Sequence, residues 1–575
     1  MTDTPPSPVI PWRHHLALAV LLGGALLMAA RAADLTMNHR EFLQQEGDAR
    51  MLRVVEIPAT RGTLRDRHGA LLAVSTPVKS VWARPAELAA ARDRWPELGR
   101  ELGVGVEHIR DRVAGARGRE FVYLRRHVEP DVATRVAALG VPGVAMEREY
   151  RRFYPAGEVA AHVVGFTDVD GVGREGMELA LDERLQGRVG SKRVIRDRLG
   201  RTVENVESVR APVPGEDVRL SIDLRIQYLA YRALKAAKQR YRAQGGSVVV
   251  LDVASGEVLA MVNQPFYNPN KGSDRVGARV RNRAVTDLFE PGSTIKPFTV
   301  LAGLASGEFE PRSTVDTSPG LLRVGRHTVR DHRDYGVIDL ETLMAKSSNV
   351  GASRIALTVA PETLWRVFDG LGFGLATGSG FPGEANGILT DYMRWGDIHR
   401  VTLSYGYGLS VSALQLARAY AVLGADGMLP PVTFERVDGD TPGRRVADAR
   451  YVRQVRAMME SVLDEGGTGG RGRVPGYRVA GKTGTVKKSV AGGYAEDRYM
   501  ALFAGMAPAS LPRIVVLAVM DEPRSEDYYG GQVAAPLFAE VMGGALRTLG
   551  VAPDDLAPTS RQVIAHLEPP RHGAR

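Results

Sequence analysis

The chain lacks cysteine altogether, and this absence removes several classes of chemistry. Disulfide bonds, cysteine-ligated zinc and thiol nucleophiles are excluded, because each requires a cysteine sulfur. The net charge is only +9, and the arginines are scattered instead of forming a basic stripe with interleaved aromatic residues. A nucleic-acid partner is therefore not expected.

Long hydrophobic runs are also scarce, and the clearest one lies near the N-terminus at residues 16–30. As a helix this run would be about 22 Å long, which is short of the roughly 30 Å hydrocarbon core of a bilayer. Extension to residues 16–35 adds charged side chains at one interface, where they can reach the headgroups. We predict a membrane anchor over 16–35 after a cytoplasmic tail at 1–15. A cleaved secretory signal is the alternative, since Ala30 and Ala32 match an A-x-A cleavage site.

The rest of the sequence indicates two modules. With 44% hydrophobic and 25% charged residues, the 575-residue chain has the composition of a folded protein too long for one core. Residues 36–214 alternate strand-like runs with basic turns and contain no nucleophile cluster, which predicts a non-catalytic module. The Pro-Val-Pro-Gly string that ends at Gly215 marks the boundary. The catalytic module is then 215–555, followed by a flexible tail at 556–575.

The second module combines helical and strand patterns. Helices are predicted at 223–242, after a capping box at 412–415, and at 536–549. Strands are predicted at 247–252, 257–262, 477–486, 499–506 and 514–520. Gly256 lies in the short connection between the first two strands, which makes them a hairpin. Five strands with helices before and after predict an α/β or α+β domain.

The chemistry lies in three short strings of the second module. They are Ser293-Thr294-Ile295-Lys296, Ser347-Ser348-Asn349 and Lys482-Thr483-Gly484-Thr485. Each alone is weak, because such short matches arise by chance in a chain of this composition. Their ordered combination is typical of acyl transferases in which the strings meet in one cleft. We therefore predict an acyl-transfer site with a serine nucleophile.

Ser293 and Lys296 form the predicted reactive pair. A Glu-Pro-Gly turn precedes Ser293, and the apolar residues that follow Lys296 continue as a buried helix to about residue 306. Ser293 is thus expected at a helix N-terminus, with Lys296 on the same face. A desolvated lysine can take the hydroxyl proton as a general base. The alternative is a capping serine beside a solvent-exposed lysine.

Ser347 and Asn349 precede a helix predicted from about Val350. The Ser347 hydroxyl can relay a proton to a leaving amine, and the Asn349 amide can bind a substrate carbonyl. The alternative is that both residues only cap the helix.

Lys482, Thr483 and Thr485 are predicted on a strand along which Gly484 removes side-chain bulk, so that a peptide can dock at its edge. The lysine and the two hydroxyls can bind a carboxylate. The backbone N–H groups of Ser293 and Thr485 are the predicted oxyanion hole. A surface turn is the alternative for this string.

With these strings the chain resembles the class B penicillin-binding proteins, and most closely the division-specific peptidoglycan D,D-transpeptidases of the FtsI or penicillin-binding protein 3 type. The resemblance covers nearly the whole chain. Further similar segments are RGTLRDRHG at 61–69, the segment 154–166, AMVNQP at 260–265 and SYGYG at 404–408. His68 departs from the asparagine that is usual in the family, in a segment with a structural role.

The resemblance implies a single-pass anchor in the bacterial inner membrane, an elongated pedestal module, and a periplasmic transpeptidase domain with a five-stranded, mainly antiparallel sheet flanked by helices. Ser293 would attack the D-Ala-D-Ala carbonyl of a stem peptide, release D-Ala, and pass the acyl group to an amine of a neighbouring stem peptide in septal cell wall. β-Lactam antibiotics would acylate the same serine. The resemblance implies no metal and no organic cofactor.

The family also implies partners that composition does not show. They are a lipid-linked glycan polymerase of the shape, elongation, division and sporulation (SEDS) class and other membrane proteins of the division complex.

Other functions stay open from the sequence. An elongation-specific class B transpeptidase has the same chemistry, although segments 263–265 and 404–408 favour division. A serine β-lactamase would need a carboxylate-held water, for which Glu384 is the nearest candidate, at an unsuitable spacing. A penicillin sensor would keep the fold without turnover. A bifunctional polymerase would need a glycosyltransferase domain. The string at 149–154 resembles a glycosyltransferase motif only superficially and belongs to the first module.

Overall fold

The computed structural model describes residues 11–37, 52–116, 118–196, 202–439, 441, 443–490 and 493–555. These residues form two compact units. One comprises residues up to Thr60 together with Gly187–Pro214, and the other comprises Arg61–Gln186 together with the chain from Gly215. The domain boundary predicted after residue 214 stays a prediction, and the predicted tail at 556–575 lies outside the described residues.

The helices are numbered in chain order over the described residues. They are α1 (Pro11–Met37), α2 (Pro85–Ala90), α3 (Trp95–Leu102), α4 (Val106–Ala114), α5 (Pro130–Ala138), α6 (Ala161–Val164), α7 (Gly176–Ala180), α8 (Asp182–Leu185), α9 (Leu224–Arg240), α10 (Arg283–Thr286), α11 (Lys296–Ser306), α12 (Leu340–Lys346), α13 (Asn349–Thr358), α14 (Pro361–Gly370), α15 (Asp397–Ser404), α16 (Ala413–Gly424), α17 (Ala449–Glu460) and α18 (Gly530–Thr548).

The strands are numbered in the same way. They are β1 (Leu52–Ile57), β2 (Leu64–Arg65), β3 (Leu71–Ala83), β4 (Val122–Val128), β5 (Val144–Phe153), β6 (Phe166–Thr167), β7 (Gly173–Glu175), β8 (Gly190–Arg196), β9 (Thr202–Arg210), β10 (Val218–Arg219), β11 (Gly245–Asp252), β12 (Val258–Gln264), β13 (Thr314–Asp316), β14 (Leu321–Val324), β15 (His327–Arg330), β16 (Val337–Asp339), β17 (Met428–Leu429), β18 (Arg444–Arg445), β19 (Ala480–Val490), β20 (Gly493–Ala507) and β21 (Ile514–Asp521).

The first unit contains the apolar helix α1 and the antiparallel sheet β1-β8-β9. Residues Trp12–Met37 of α1 are long and apolar enough to cross a membrane. These 26 residues measure about 39 Å at 1.5 Å per residue, which exceeds the roughly 30 Å hydrocarbon core. The helix thus extends beyond both ends of the predicted 16–35 segment.

The second unit begins with a sheet of order β10-β2-β3-β4, in which β5 also pairs with β3. Helices α2 to α5 pack a separate apolar cluster against this sheet. A buried polar cluster lies nearby, where the carboxylate of Glu178 accepts hydrogen bonds from Arg61 at 2.7 Å and Arg152 at 2.6 Å. Charges so deeply buried are tolerated because they are paired.

The centre of the second unit is a five-stranded sheet of order β12-β11-β21-β20-β19, and each neighbouring pair is antiparallel. Helices α9 and α18 pack on each other and on the sheet, while α16 packs on β11 and β21. The prediction of a mainly antiparallel sheet with flanking helices is confirmed. Strand β19, which carries the Lys-Thr-Gly string, is an edge strand of this sheet.

The closing helix is longer than the sequence predicts. We expect it from Pro536, whereas α18 begins at Gly530 and contains that proline. Proline lacks an N–H, so it leaves the carbonyl oxygen of Gln532 without its usual intrahelical donor. The Tyr241 hydroxyl donates to this oxygen at 3.2 Å, and this tertiary contact supplies a partner that the sequence pattern cannot reveal.

Candidate active site

The turn that carries Ser293 is a single 3-10 turn, Gly292–Ile295, directly before α11. Gly292 has φ +54°, and a Cβ there would overlap the Val486 side chain, so glycine is required. The Thr294 hydroxyl donates to the Pro291 carbonyl at 2.6 Å, and the Tyr420 hydroxyl of α16 donates to the Thr294 carbonyl at 2.7 Å. These bonds fix the shape of the turn and hold it against α16.

Lys296 is the first residue of α11 and has no exposed surface. Its Nζ donates to the Ser347 carbonyl at 2.5 Å, the Ser347 Oγ at 3.1 Å and the Asn349 Oδ1 at 2.8 Å. The S-x-x-K and Ser-Ser-Asn strings therefore meet through this lysine. Lys296 is therefore not the solvent-exposed lysine of the alternative interpretation.

Ser347 lies between α12 and α13 in a left-handed conformation, φ 58° and ψ 44°. This conformation is costly for a residue with a side chain and is typical of functional sites. Ser348, and not Ser347 or Asn349, caps α13, because its Oγ accepts from the Gly351 N–H at 2.8 Å. The hydroxyl of Ser347 therefore does not cap the helix and is free to contact Lys296 and Lys482.

Lys482 approaches the same hydroxyl from strand β19. Its Nζ lies 2.9 Å from the Ser347 Oγ, and its side chain is fully buried. The Ser347 oxygen accepts from both lysines, which leaves its own proton free to be donated. The three strings predicted to converge thus share one serine hydroxyl.

Thr483 and Thr485 follow on the same strand. The Thr485 Oγ1 accepts from the Gly530 N–H at 2.9 Å, so the hydroxyl proton remains available to a ligand. The hydroxyls of Thr483 and Thr468 lie 2.9 Å apart. A Cβ on Gly484 would lie 2.9 Å from the Thr294 Cγ2, which shows how closely β19 approaches the Ser293 turn.

Burial shifts the pKa values of both lysines downwards. The pKa of Lys482 falls to about 7 because the ammonium is desolvated. The pKa of Lys296 lies well below its usual value, mainly through desolvation and then through repulsion by Lys482, while the charge of Asp331 acts in the opposite sense. The three acceptors around Lys296 favour its protonated form, but desolvation dominates.

Asp331 is a site residue that the sequence did not reveal. It follows β15 and accepts hydrogen bonds from the Ser348 hydroxyl at 2.5 Å, the Asn349 N–H at 2.5 Å and the Val350 N–H at 3.0 Å. It therefore fixes the start of α13 and the position of Asn349. No local motif marks it, because its partners are distant in sequence. Thr468 was missed for the same reason.

Glu384, the nearest candidate for a β-lactamase water-binding carboxylate, is bonded within its own loop. It accepts from the Thr377 N–H at 2.7 Å and the Ser379 hydroxyl at 3.2 Å. Its carboxylate is thus occupied as a loop anchor.

The sequence comparisons agree with this geometry. The family described as "Penicillin binding protein transpeptidase domain" matches residues 246–543, and that described as "Penicillin-binding Protein dimerisation domain" matches residues 56–220. The chain belongs to the penicillin-binding protein transpeptidase family. The first match contains all three strings, and the second covers much of the module predicted to be non-catalytic.

Curated relatives span almost the whole chain. A probable peptidoglycan D,D-transpeptidase PenA of Neisseria meningitidis is 43% identical over 94% of this chain and 92% of the relative. The peptidoglycan D,D-transpeptidase FtsI of Escherichia coli K12 is 42% identical over 95% of this chain and 93% of the relative. The predicted resemblance to the FtsI type is confirmed.

Solved structures resemble the catalytic part. The transpeptidase domain of penicillin-binding protein 3 from Burkholderia pseudomallei is 43% identical with a TM-score of 0.55, and covers 59% of this chain and 98% of its own. A structure from Burkholderia ambifaria, titled as a peptidoglycan glycosyltransferase, is 42% identical with a TM-score of 0.53, and covers 59% of this chain and 100% of its own.

Proposed function

We propose that this chain is a peptidoglycan D,D-transpeptidase that cross-links the stem peptides of septal cell wall through a Ser293 acyl-enzyme. The observation that carries the proposal is the convergence of Lys296 and Lys482 on the Ser347 hydroxyl, beside the turn that bears Ser293. Peptidoglycan as substrate and β-lactams as ligands accord with membership of the penicillin-binding family.

The first half-reaction forms the acyl-enzyme. Neutral Lys296 takes the Ser293 hydroxyl proton, and the oxygen attacks the carbonyl between the two D-Ala residues of a donor stem peptide. The backbone N–H groups of Ser293 and Thr485 stabilise the tetrahedral oxyanion. The peptide C–N bond then breaks, and the departing amine of D-Ala takes the Ser347 hydroxyl proton. Protonated Lys296, which donates to the Ser347 Oγ, replaces that proton.

The second half-reaction reverses these proton movements. An amine of a neighbouring stem peptide attacks the acyl-enzyme ester, a new amide bond forms, and the Ser293 oxygen regains its proton. A β-lactam carries its leaving nitrogen in a ring, so the nitrogen stays attached after Ser293 opens the ring and continues to occupy the site.

Substrate binding follows from charge and hydrogen-bonding capacity. Lys482 in its charged form, with the hydroxyls of Thr483 and Thr485, binds the terminal carboxylate of the donor peptide or the carboxylate of a penicillin. One N–H of the Asn349 amide donates to the Arg330 carbonyl at 3.1 Å, and the other is available to a substrate carbonyl. An extended peptide docks along edge strand β19. The missing side chain of Gly484 admits the Ser293 turn and not the peptide, because a Cβ there would meet Thr294 and Pro291.

The cellular setting is inferred with the activity. Helix α1 anchors the protein to the bacterial inner membrane, and the catalytic domain lies in the periplasm, where peptidoglycan is assembled. A SEDS-class glycan polymerase and other division-complex membrane proteins are the expected partners, with the residues before the transpeptidase domain as a pedestal. Septal enrichment of a fluorescently tagged protein tests the division role, whereas labelling along the lateral wall would favour elongation.

The activity is tested by labelling the purified full-length protein with a fluorescent penicillin and measuring the intact mass. We expect stable acylation at one site that is lost in Ser293→Ala and retained in Ser273→Ala, which alters an exposed serine outside the three strings. A wild-type protein that is folded but unlabelled would contradict the nucleophile assignment. Rapid loss of the label would favour a β-lactamase, and stable labelling without D-Ala release from a stem peptide would favour a sensor.

A further inference from the structure

Glu290 lies three residues before Ser293, at the point where the chain enters the reactive turn. On either side of it the backbone is paired with segment 406–411. Phe289 and Val411 exchange N–H to carbonyl bonds of 3.0 and 2.9 Å, and the Gly292 N–H donates to the Gly406 carbonyl at 3.0 Å. The backbone of Glu290 is therefore held by hydrogen bonds on both sides.

The Glu290 carboxylate joins two separate segments to this position. Its Oε1 accepts from the Gly408 N–H at 2.8 Å and from the Tyr494 hydroxyl at 3.0 Å. Its Oε2 is buried and has no hydrogen-bond partner among the residues that the structure describes. A carboxylate oxygen left in this state costs free energy, so a role in stability alone does not explain why the position carries a charged group.

Tyr494 belongs to the β19–β20 hairpin, the continuation of the strand that bears Lys482 and Thr485. It pairs with Ser489 across the hairpin, and its ring meets the edge of the Tyr407 ring at 5.5 Å. Burial and the Glu290 charge raise the pKa of Tyr494, so its hydroxyl stays protonated and acts as a donor at neutral pH. The Glu290 to Tyr494 bond thus joins the β20 side of this hairpin to the residue two positions before the Ser293 turn.

We propose that Glu290 is a positioning residue for acylation, which uses Gly408 and Tyr494 to fix the Ser293 turn against strand β19. The inference deepens the proposed function and rests on Ser293 as its nucleophile. The predicted oxyanion hole takes one N–H from the turn and one from the strand, so its geometry depends on the distance between these elements. A misplacement of about 1 Å can cost about a hundredfold in rate.

The position of the contact supports this role. Glu290 lies two residues before the turn, while the tight approaches of Gly292 to Val486 and of Gly484 to Thr294 lie within the turn itself. These glycine contacts set a minimum separation but do not pull the elements together. The bonds from Glu290 supply the opposing constraint, because they resist separation of the hairpin from the turn.

The test measures acylation of the full-length protein by a penicillin in stopped flow, resolved into the noncovalent constant KS and the rate constant k2. We expect Tyr494→Phe, which keeps the ring, to lower k2 about threefold to tenfold and Glu290→Ala about tenfold or more, with KS within about twofold of wild type. Glu290→Gln retains one carbonyl oxygen and should recover part of k2. Glu496→Gln, an exposed carboxylate on the same hairpin, is the matched control.

A double-mutant cycle separates positioning from general destabilisation. If Glu290 acts through Tyr494, the double variant Glu290→Ala/Tyr494→Phe should be no slower than Glu290→Ala alone. Independent multiplication of the two effects, or k2 values within about twofold of wild type, would overturn the inference. Tyr494→Phe carries the test if Glu290→Ala does not fold, as judged by its melting temperature.

Failure of the proposed function would look different. It would appear as a wild-type protein that no penicillin acylates, or as labelling that survives Ser293→Ala. Failure of the Glu290 inference would leave wild-type acylation at Ser293 intact and would appear only in the Glu290 and Tyr494 variants.

Discussion

Lys296 and Lys482 are both fully buried, and the Nζ atoms of both donate to the Ser347 hydroxyl. Two charged ammonium groups so close together in a dry site repel each other, so the pair favours one neutral and one charged lysine. This division suits the proposed reaction, because Lys296 must be neutral to accept a proton and Lys482 must be charged to bind a carboxylate.

The pH dependence of penicillin binding should report the charged member of the pair. Because burial lowers the pKa of Lys482 to about 7, the ammonium is present below that pH and is lost as the pH rises through it. We therefore expect KS for a penicillin carboxylate to increase, meaning weaker binding, as the pH rises above about 7. Stopped-flow acylation across this range measures KS.

Variants at Lys482 provide the control for this prediction. Lys482→Met should weaken binding about tenfold or more at low pH and remove the pH dependence of KS, since no ammonium remains to titrate. The exposed Lys271→Met should behave like wild type. A KS that is independent of pH in the wild-type protein would show that Lys482 does not contribute its charge to binding.

At the scale of elements, the approach of the reactive turn to strand β19 depends on the absence of a side chain at Gly484. A Cβ there would lie 2.9 Å from the Thr294 Cγ2, 3.2 Å from the Pro291 carbonyl oxygen and 3.3 Å from the Leu502 Cβ. The strand cannot yield easily because Gly484 pairs with Leu502 of β20. Any added volume must therefore move the turn.

Gly484→Ala should slow acylation by penicillin about tenfold to a hundredfold, because it displaces Ser293 from the strand that carries the predicted second oxyanion donor. Gly105→Ala is the matched control, since a Cβ at Gly105 meets nothing within 4 Å. Unchanged acylation by Gly484→Ala would mean that the turn tolerates displacement. The rate of appearance of the acyl-enzyme measures the effect.

The buried polar cluster of the second unit is a further element-scale constraint. Glu178 is fully buried and pairs with Arg61, which also reaches Asp182 at 2.6 Å, and with Arg152. The cluster joins residue 61 to strand β5 and to helices α7 and α8. It lies within the match to the dimerisation domain.

Glu178→Ala should lower the free energy of unfolding by about 3–5 kcal/mol, because it leaves the buried Arg152 without a counter-charge and Arg61 with Asp182 alone. The exposed Glu183→Ala should change it little. Denaturant unfolding monitored by circular dichroism measures the difference. A Glu178→Ala variant as stable as the control would show that water or other groups compensate the arginines.

At the scale of the whole molecule, helix α1 determines whether the mature protein remains attached to the membrane. The apolar residues Trp12–Met37 are long enough to cross a bilayer, but secretory signals share these properties. Length therefore supports the anchor, and the presence of residues 1–37 in the mature protein distinguishes an anchor from a cleaved signal.

Intact mass spectrometry of the protein purified from membranes decides this point. We expect a mass that includes residues 1–37, with extraction from the membrane requiring detergent. A mature chain that begins just after Ala32, recovered without detergent, would instead identify a cleaved signal at the Ala30-Arg31-Ala32 site.

The amino-acid sequence alone was enough to predict the three ordered motifs, the family, the five strands of the central sheet and the apolar helix. These features are local, because periodicity, glycine turns and short motifs depend on neighbouring residues. Even so, local patterns missed how far α18 extends, since a distant tyrosine satisfies the carbonyl that Pro536 leaves unpaired.

The polar contacts of the site, in contrast, became visible only in the folded chain. Asp331 and Thr468 bind residues elsewhere in the sequence, and Glu290 and Tyr494 are likewise separated along the chain. No spacing rule predicts such contacts. The assignment of the cap to Ser348 and of the Ser347 hydroxyl to the two lysines also required the fold. The physical reason is that desolvation and hydrogen bonding depend on every element packed around a group, and only the folded chain brings those elements together.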